Sequence, residues 1–274
     1  MKSDQPHEAS VEVDGADVWY RVSGGVGPTL LLVHGSGANH LWWHVMLPWL
    51  RPGHRVVEMD LSGHGDSGHR LPYSVEGWAG EIDAVLQAVD ARDAVLVGHS
   101  MGGKLCVAAA ALHPQRVAGL VLFDVGLPPP RSWRDRPASF EGATRYFPTR
   151  EELVARFALA PRQPHPAAHV LDPIAEGSVR HEAEGWRWKH DRRRTPIVDD
   201  RLIGTFALGL TCPISYVYAE HSHAVDEETV EHVRTSLRAP VTLTRVDGTH
   251  HHLVLEEPER CAELVVELAE SLTR

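Results

Sequence analysis

Short continuous apolar runs alternate along this chain with stretches in which apolar residues recur every third or fourth position. The first kind predicts strands buried on both faces, and the second predicts helices that bury one side. Thr29-Leu30-Leu31-Leu32-Val33, Arg55-Val56-Val57-Glu58-Met59, Ala94-Val95-Leu96-Val97 and residues 118–123 are of the strand kind. Trp78, Ile82, Val85 and Val89 follow helical spacing behind Ser74, whose short polar side chain suits an N-cap. Val11-Glu12-Val13 and residues 17–22 flank Asp14-Gly15, a pair suited to a two-residue hairpin turn. Further on, Ile214-Ser215-Tyr216-Val217-Tyr218 and residues 241–246 read as two more strands. A last helix from Pro258 turns Cys261, Leu264, Val265 and Leu268 inward. A hairpin followed by strand–helix alternation predicts an α/β sheet, antiparallel at its start and parallel afterwards.

Residues 126–208 break that rhythm. Pro128-Pro129-Pro130 closes the strand that ends at Asp124, and no buried-strand run follows. Thr149-x-x-Glu152 has the form of a capping box that opens a helix through Leu153, Phe157 and Leu159. The segment is rich in aromatic residues: Trp133, Phe140, Tyr146, Phe147, Trp186 and Trp188. It reads as a helical cap or lid inserted into one core made of 1–125 and 209–274, with Lys189 and Asp191 as a pair on its surface.

Composition narrows the function classes. The chain has 274 residues, 43% of them hydrophobic, and a formal net charge of −10. No basic run exceeds Arg192-Arg193-Arg194, which speaks against a nucleic-acid partner. No stretch approaches the roughly 20 apolar residues of a membrane span. The polar start, Met1 to Glu8, lacks the apolar core of a secretion signal. Cys106, Cys212 and Cys261 are odd in number and far apart, as expected of buried thiols in a reducing cytoplasm rather than of disulfides or a zinc site.

Chemistry concentrates at Gly98-His99-Ser100-Met101-Gly102, between the strand 94–97 and the helix-forming run from Lys104 to Ala111. A serine at the apex of a strand–turn–helix needs small neighbours, because the chain reverses almost on the spot. Gly98-x4-Gly103-Lys104 also matches the opening of a phosphate-binding loop, but Leu105 stands where that loop needs a magnesium-ligating hydroxyl. In open α/β sheets, ligands collect at the carboxyl ends of the strands. Those ends here carry His34-Gly35-Ser36-Gly37, then Asp60 with Leu61-Ser62-Gly63-His64-Gly65-Asp66-Ser67, then Ser100, Asp124, and His250-His251-His252. A nucleophile, carboxylates and imidazoles thus share one rim.

With these motifs in this order, the whole chain resembles the α/β-hydrolase superfamily. The resemblance implies a sheet of about eight strands with a cap after the sixth. It implies Ser100 as nucleophile and, by spacing back from Glu257-Pro258, His251 as its base. Backbone N–H groups of Met101 and Ser36 would bind the oxyanion. Members usually carry the triad acid after the seventh strand, where this chain has Ala219-Glu220-His221-Ser222. A smaller group carries it after the sixth, where Asp124 stands. Asp124 is favoured, with Asp226 as the alternative. Asp60 and His64 resemble structural turn residues of the family. Trp42, Trp43 and Trp186 are candidate walls of a substrate pocket, with core packing the competing role for the first two.

The expected function is cofactor-independent hydrolysis of a small-molecule ester, lactone or related acyl compound through an acyl-enzyme. A serine at 100 disfavours the dehalogenase and epoxide-hydrolase chemistries, which use an aspartate nucleophile in this superfamily. Cleavage of a C–C bond beside a carbonyl and perhydrolase chemistry fit the same residues. A slow-turnover ligand receptor is the competing non-enzyme class.

Overall fold

The computed structural model describes residues 6–132, 142–164, 166–192 and 198–273, together with the backbone of 139–140 and 195–196. One sheet of eight strands forms its centre. β1 (His7–Val13) and β2 (Ala16–Gly24) make the leading hairpin. They turn at Asp14 and Gly15, with φ of 49° and 80°, the two positive values that a tight hairpin turn needs. β3 (Thr29–Val33), β4 (Arg55–Met59), β5 (Ala94–His99) and β6 (Val117–Phe123) follow, and then strands Ile214–Ala219 and Val241–Val246. Across the sheet the order is β1-β2-β4-β3-β5-β6, then the strands at 214 and 241. The pairs β1·β2 and β2·β4 are antiparallel, and all others are parallel. From β3 the chain steps outward to β4 and then returns to β5 on the other side of β3. That reversal opens a crevice at the carboxyl ends of β3 and β5.

The two-residue period of the strands divides the core into two layers. Leu31 and Val33 face α2 (Val75–Ala88) and α3 (Met101–Leu112). Leu30 and Leu32 face Trp42, Trp43, the short α1 (Leu47–Leu50) and the C-terminal helix Pro258–Ser271. Ser74 caps α2 as expected, its Oγ accepting the Gly77 N–H at 3.0 Å. Cys106 and Cys261 are buried and Cys212 is half-buried, all as free thiols. No described helix is long and apolar enough to cross a membrane.

Between β6 and Ile214 the sequence pattern predicts helices alone. Helices Arg150–Val154, Ala168–Gly177 and Asp200–Gly209 are present. An antiparallel hairpin is present too, pairing Val179–Glu182 with Gly185–Trp188, and residues 139–140 pair with 195–196. The hairpin strands are four residues long and mostly half-exposed, so no apolar run marks them. Thr149 caps the Glu152 N–H at 3.2 Å, but the helix stops at Val154 instead of continuing to Leu159. Residues 155–160, Phe157 and Leu159 among them, continue as turn and irregular backbone. Ile203 and Ala207 of the helix Asp200–Gly209 join the layer of α2 and α3, and Lys104 pairs with Asp200 at 2.5 Å. The boundary expected at 208 therefore falls inside a helix packed on the core.

Candidate active site

Ser100 stands between β5 and α3 with φ 53° and ψ −119°. A side chain in that region of the map costs on the order of 1–3 kcal/mol, which the surroundings must offset. The Ser100 N–H donates to the Phe123 carbonyl at 3.0 Å, fixing the turn to the neighbouring strand. A Cβ at Gly98 would come within 2.5 Å of the Gly103 Cα, and one at Gly102 would collide with the Val33 carbonyl oxygen. The glycines that flank the serine thus let β3, β5 and α3 meet. Because α3 begins at Met101, the unpaired N–H groups of its first turn lie next to the serine.

Three side chains from distant parts of the chain form one hydrogen-bonded line. His251 Nε2 lies 3.1 Å from Ser100 Oγ, and His251 Nδ1 lies 2.7 Å from Asp124 Oδ2. Asp124 is fully buried at the end of β6, and its other oxygen accepts the Ala219 N–H at 3.0 Å. Ser222 donates its hydroxyl to Asp124 Oδ2 at 2.7 Å. The residue at the more usual acid position is therefore a hydrogen-bond partner of the carboxylate at the rarer one. Asp226 does different work. It caps the helix Glu227–Ser236, accepting the Thr229 N–H at 2.8 Å, and the Thr229 side chain, then that N–H, hold its carboxyl below the ordinary value.

The flanking histidines are occupied elsewhere. His250 Nδ1 lies 3.0 Å from Glu256, whose other oxygen accepts the His250 N–H at 2.7 Å. His252 is buried with its ring edge-on to Trp42, at a centroid distance of 5.3 Å. Burial, and then the neighbouring His251, push the His252 imidazole down to about 3. The same causes in the same order hold His99 well below its ordinary value, so both rings stay neutral near pH 7. The ring nitrogens of His99, His251 and His252 come within 4.8 Å of one another, close enough for a metal ion to bridge. Both nitrogens of His251 already face Asp124 and Ser100, and His99 Nε2 donates to the His251 carbonyl at 2.8 Å. A metal there would have to break the line to Ser100.

The loop after β3 brings Ser36 to this site. A Cβ at Gly35 would lie 3.4 Å from the Ser100 Cβ, so the backbone just before Ser36 abuts the nucleophile. Asp60 holds the same loop from below. It accepts the His40 N–H at 2.6 Å, His40 Nδ1–H at 2.9 Å and the Asp66 N–H at 2.8 Å. Burial alone would raise the Asp60 carboxyl, but the His40 contacts and the Asp66 N–H keep it below the ordinary value. Those bonds tie the loop after β3 to the loop after β4.

Of the two roles open to Trp42 and Trp43, pocket wall or core packing, both rings take the second. Trp43 is fully buried and packs on Phe123 at 6.5 Å, and Trp42 is 5% exposed and stacks on His99 at 6.5 Å. The turn at 40–43 directs both rings into the apolar layer under the site, and neither lines a described cavity. Trp186 pairs through its backbone with Phe147, at 2.8 and 2.9 Å, and stands edge-on to His181. Its neighbour Trp188 lines, with Phe157 and His190, a cavity of about 380 Å³ whose wall also includes Ser36 and Gly37. Trp133 lies outside the described residues, and Phe140 is described in its backbone only.

Lys189 and Asp191 do not pair with each other. Lys189 meets Asp66 at 2.6 Å, and Asp191 accepts the Tyr73 hydroxyl at 2.9 Å. Each thus ties the segment after β6 to a loop of the sheet. Asn39 donates to Ser178 at 2.8 Å, and His190 stacks on His64 at 4.6 Å, completing that seam.

Comparison with known proteins agrees with this architecture. The family model described as the alpha/beta hydrolase fold matches residues 28–258. A haloalkane dehalogenase of Mesorhizobium japonicum is 32% identical over 131 residues, 47% of this chain and 42% of that protein. A pimeloyl-[acyl-carrier protein] methyl ester esterase of Methylococcus capsulatus is 41% identical over 99 residues, 36% of this chain and 37% of that protein. The chain thus spans less than half the length of either relative. Among solved structures, a thioesterase domain from the curacin biosynthetic pathway superposes with a TM-score of 0.80 at 23% identity, covering 96% of this chain and 99% of that one. An esterase of Mycobacterium tuberculosis gives a TM-score of 0.76 at 22% identity, covering 98% and 92%. At such identities the likeness speaks for the fold alone. The family match takes in every parallel strand and all three residues of the hydrogen-bonded line, and the chain belongs to the α/β-hydrolase family.

Proposed function

We propose that this chain is a serine hydrolase that cleaves a small or medium ester, lactone or related acyl compound through an acyl-enzyme, with no cofactor. The observation that carries this reading is the unbroken line Ser100–His251–Asp124 at the crevice of the sheet. Serine hydroxyl is a weak nucleophile until a base takes its proton. His251 Nε2 takes it as Ser100 Oγ attacks the acyl carbon. Asp124 accepts the Nδ1–H, fixes the tautomer and offsets the charge of the imidazolium that forms. The backbone N–H groups of Met101 and Ser36 receive the developing oxyanion. His251 then returns the proton to the leaving group, and water attacks the acyl-enzyme with His251 again as base.

The segment 126–208 acts in this reading as a cap over the crevice. Its cavity wall, Trp188 above all, selects the acyl group. A panel of p-nitrophenyl esters of increasing chain length tests both statements. Multiple turnovers are expected, whereas a ligand receptor would give one slow burst. Trp188→Ala should change the ratio of kcat/KM between short and long esters, by an amount up to about 3 kcal/mol. An equal loss on every ester, with a lowered Tm, would make Trp188 packing material only.

A further inference from the structure

A second cavity, of about 210 Å³, adjoins the first, and Arg145, Arg156, Arg187 and Arg192 stand in its wall. Arg156, Trp188, His190 and Arg192 line both, so a ligand filling the two would extend from Ser36 to the arginines. This is an unusual concentration of cations on a chain whose net charge is −10. Some of that charge is neutralised locally: Arg187 pairs with Glu182 at 2.6 Å, and Lys189, beside the first cavity, with Asp66 at 2.6 Å. Arg145, Arg156 and Arg192 have no carboxylate in ion-pair range among the described residues. The Arg156 guanidinium lies over the Phe147 ring, 5.2 Å from its centroid, which positions the charge without cancelling it. The field registers on His190, which burial and then the Arg192 charge push down to about 4.

We propose that Arg145, Arg156 and Arg192 form an anion subsite, and that the substrate attacked by Ser100 carries a carboxylate or phosphate group remote from its acyl carbon. The substrate half of this statement rests on the hydrolase reading. Like-charged guanidiniums around one cavity repel each other until an anion enters. Their planar donors then match the oxygens of a carboxylate or phosphate in paired hydrogen bonds. Such a patch also draws an anionic substrate to a protein whose overall field opposes it, a benefit that salt removes.

Matched esters separate the two anions. On the acyl side, the p-nitrophenyl monoester of adipate is compared with p-nitrophenyl hexanoate. On the leaving-group side, the butyryl ester of 4-hydroxyphenyl phosphate is compared with phenyl butyrate. One anionic ester should exceed its neutral match in kcat/KM by about tenfold or more at low salt, and the ratio should shrink in about 0.5 M NaCl. In the double variant Arg156→Gln/Arg192→Gln the ratio should collapse towards one. Equal rates within both pairs, or a ratio that survives the double substitution, would overturn the proposal. Calorimetric titration with adipate and with inorganic phosphate probes the subsite without catalysis. At least one should bind the unaltered protein and bind the double variant about tenfold more weakly, a loss near 1.4 kcal/mol. No binding of either, or binding unchanged in the variant, would exclude the subsite. Absence of turnover on all four esters would overturn the hydrolase reading instead, and the titration would still decide the subsite.

Discussion

His251→Ala is expected to lower kcat by about 10⁴–10⁶, with the fold intact. The ring stands 3.1 Å from Ser100 Oγ and 2.7 Å from Asp124, so its loss removes the base and isolates both partners. Members of such a line act as a unit, which is why removing the nucleophile or the base costs nearly as much as removing all three, while removing the acid costs less. The two adjacent histidines provide the control. His250 faces Glu256 near the surface, and His250→Ala should stay within about tenfold of the unaltered enzyme. His252→Ala empties a buried site against Trp42 and should lower Tm more than kcat. Steady-state kinetics on one ester, with circular dichroism on each variant, separates these outcomes. If His250→Ala were the dead variant, the register of the histidine triplet would be wrong by one residue.

Asp124→Asn should cut kcat by about 10³–10⁴, and Asp226→Asn by less than about tenfold. An amide at 124 can present its N–H₂ to His251 and favour the wrong tautomer, and it cannot balance the imidazolium. Asp226 serves a helix end, and asparagine is an equally good cap, so stability should also hold at that position. Ser222→Ala is expected to fall between them, near tenfold, since it removes one hydrogen bond from an ionised carboxylate. The reverse order of the two aspartate variants would move the acid to the loop after the strand Ile214–Ala219.

The sheet was legible because strands buried on both faces leave continuous apolar runs, as at Thr29–Val33 and Val117–Phe123. The turn at Ser100 was legible because close packing of β3, β5 and α3 demands glycine at 98 and 102. Asp124 could be picked out since a strand end needs no loop geometry to reach the rim. The hairpin Val179–Trp188 could not, because its strands are short and half-exposed. Nor could the direction of Trp42 and Trp43, which is set by the turn at 40–43 rather than by any periodicity. The partners of Lys189 and Asp191 were hidden for a related reason. They sit more than a hundred positions away, at Asp66 and Tyr73, and meet only once the segment after β6 has folded back. Ser222 left a trace in the sequence: a hydroxyl stood where a carboxylate was expected, which signals a partner for an acid placed elsewhere.

The central claim is that Ser100 is an activated nucleophile, and covalent labelling with a fluorophosphonate probe tests it most directly. The label should reach about one per chain. Peptide mapping should place it on Ser100, and Ser100→Ala should abolish it. Labelling that persists in Ser100→Ala, or that maps to another serine, would contradict the account.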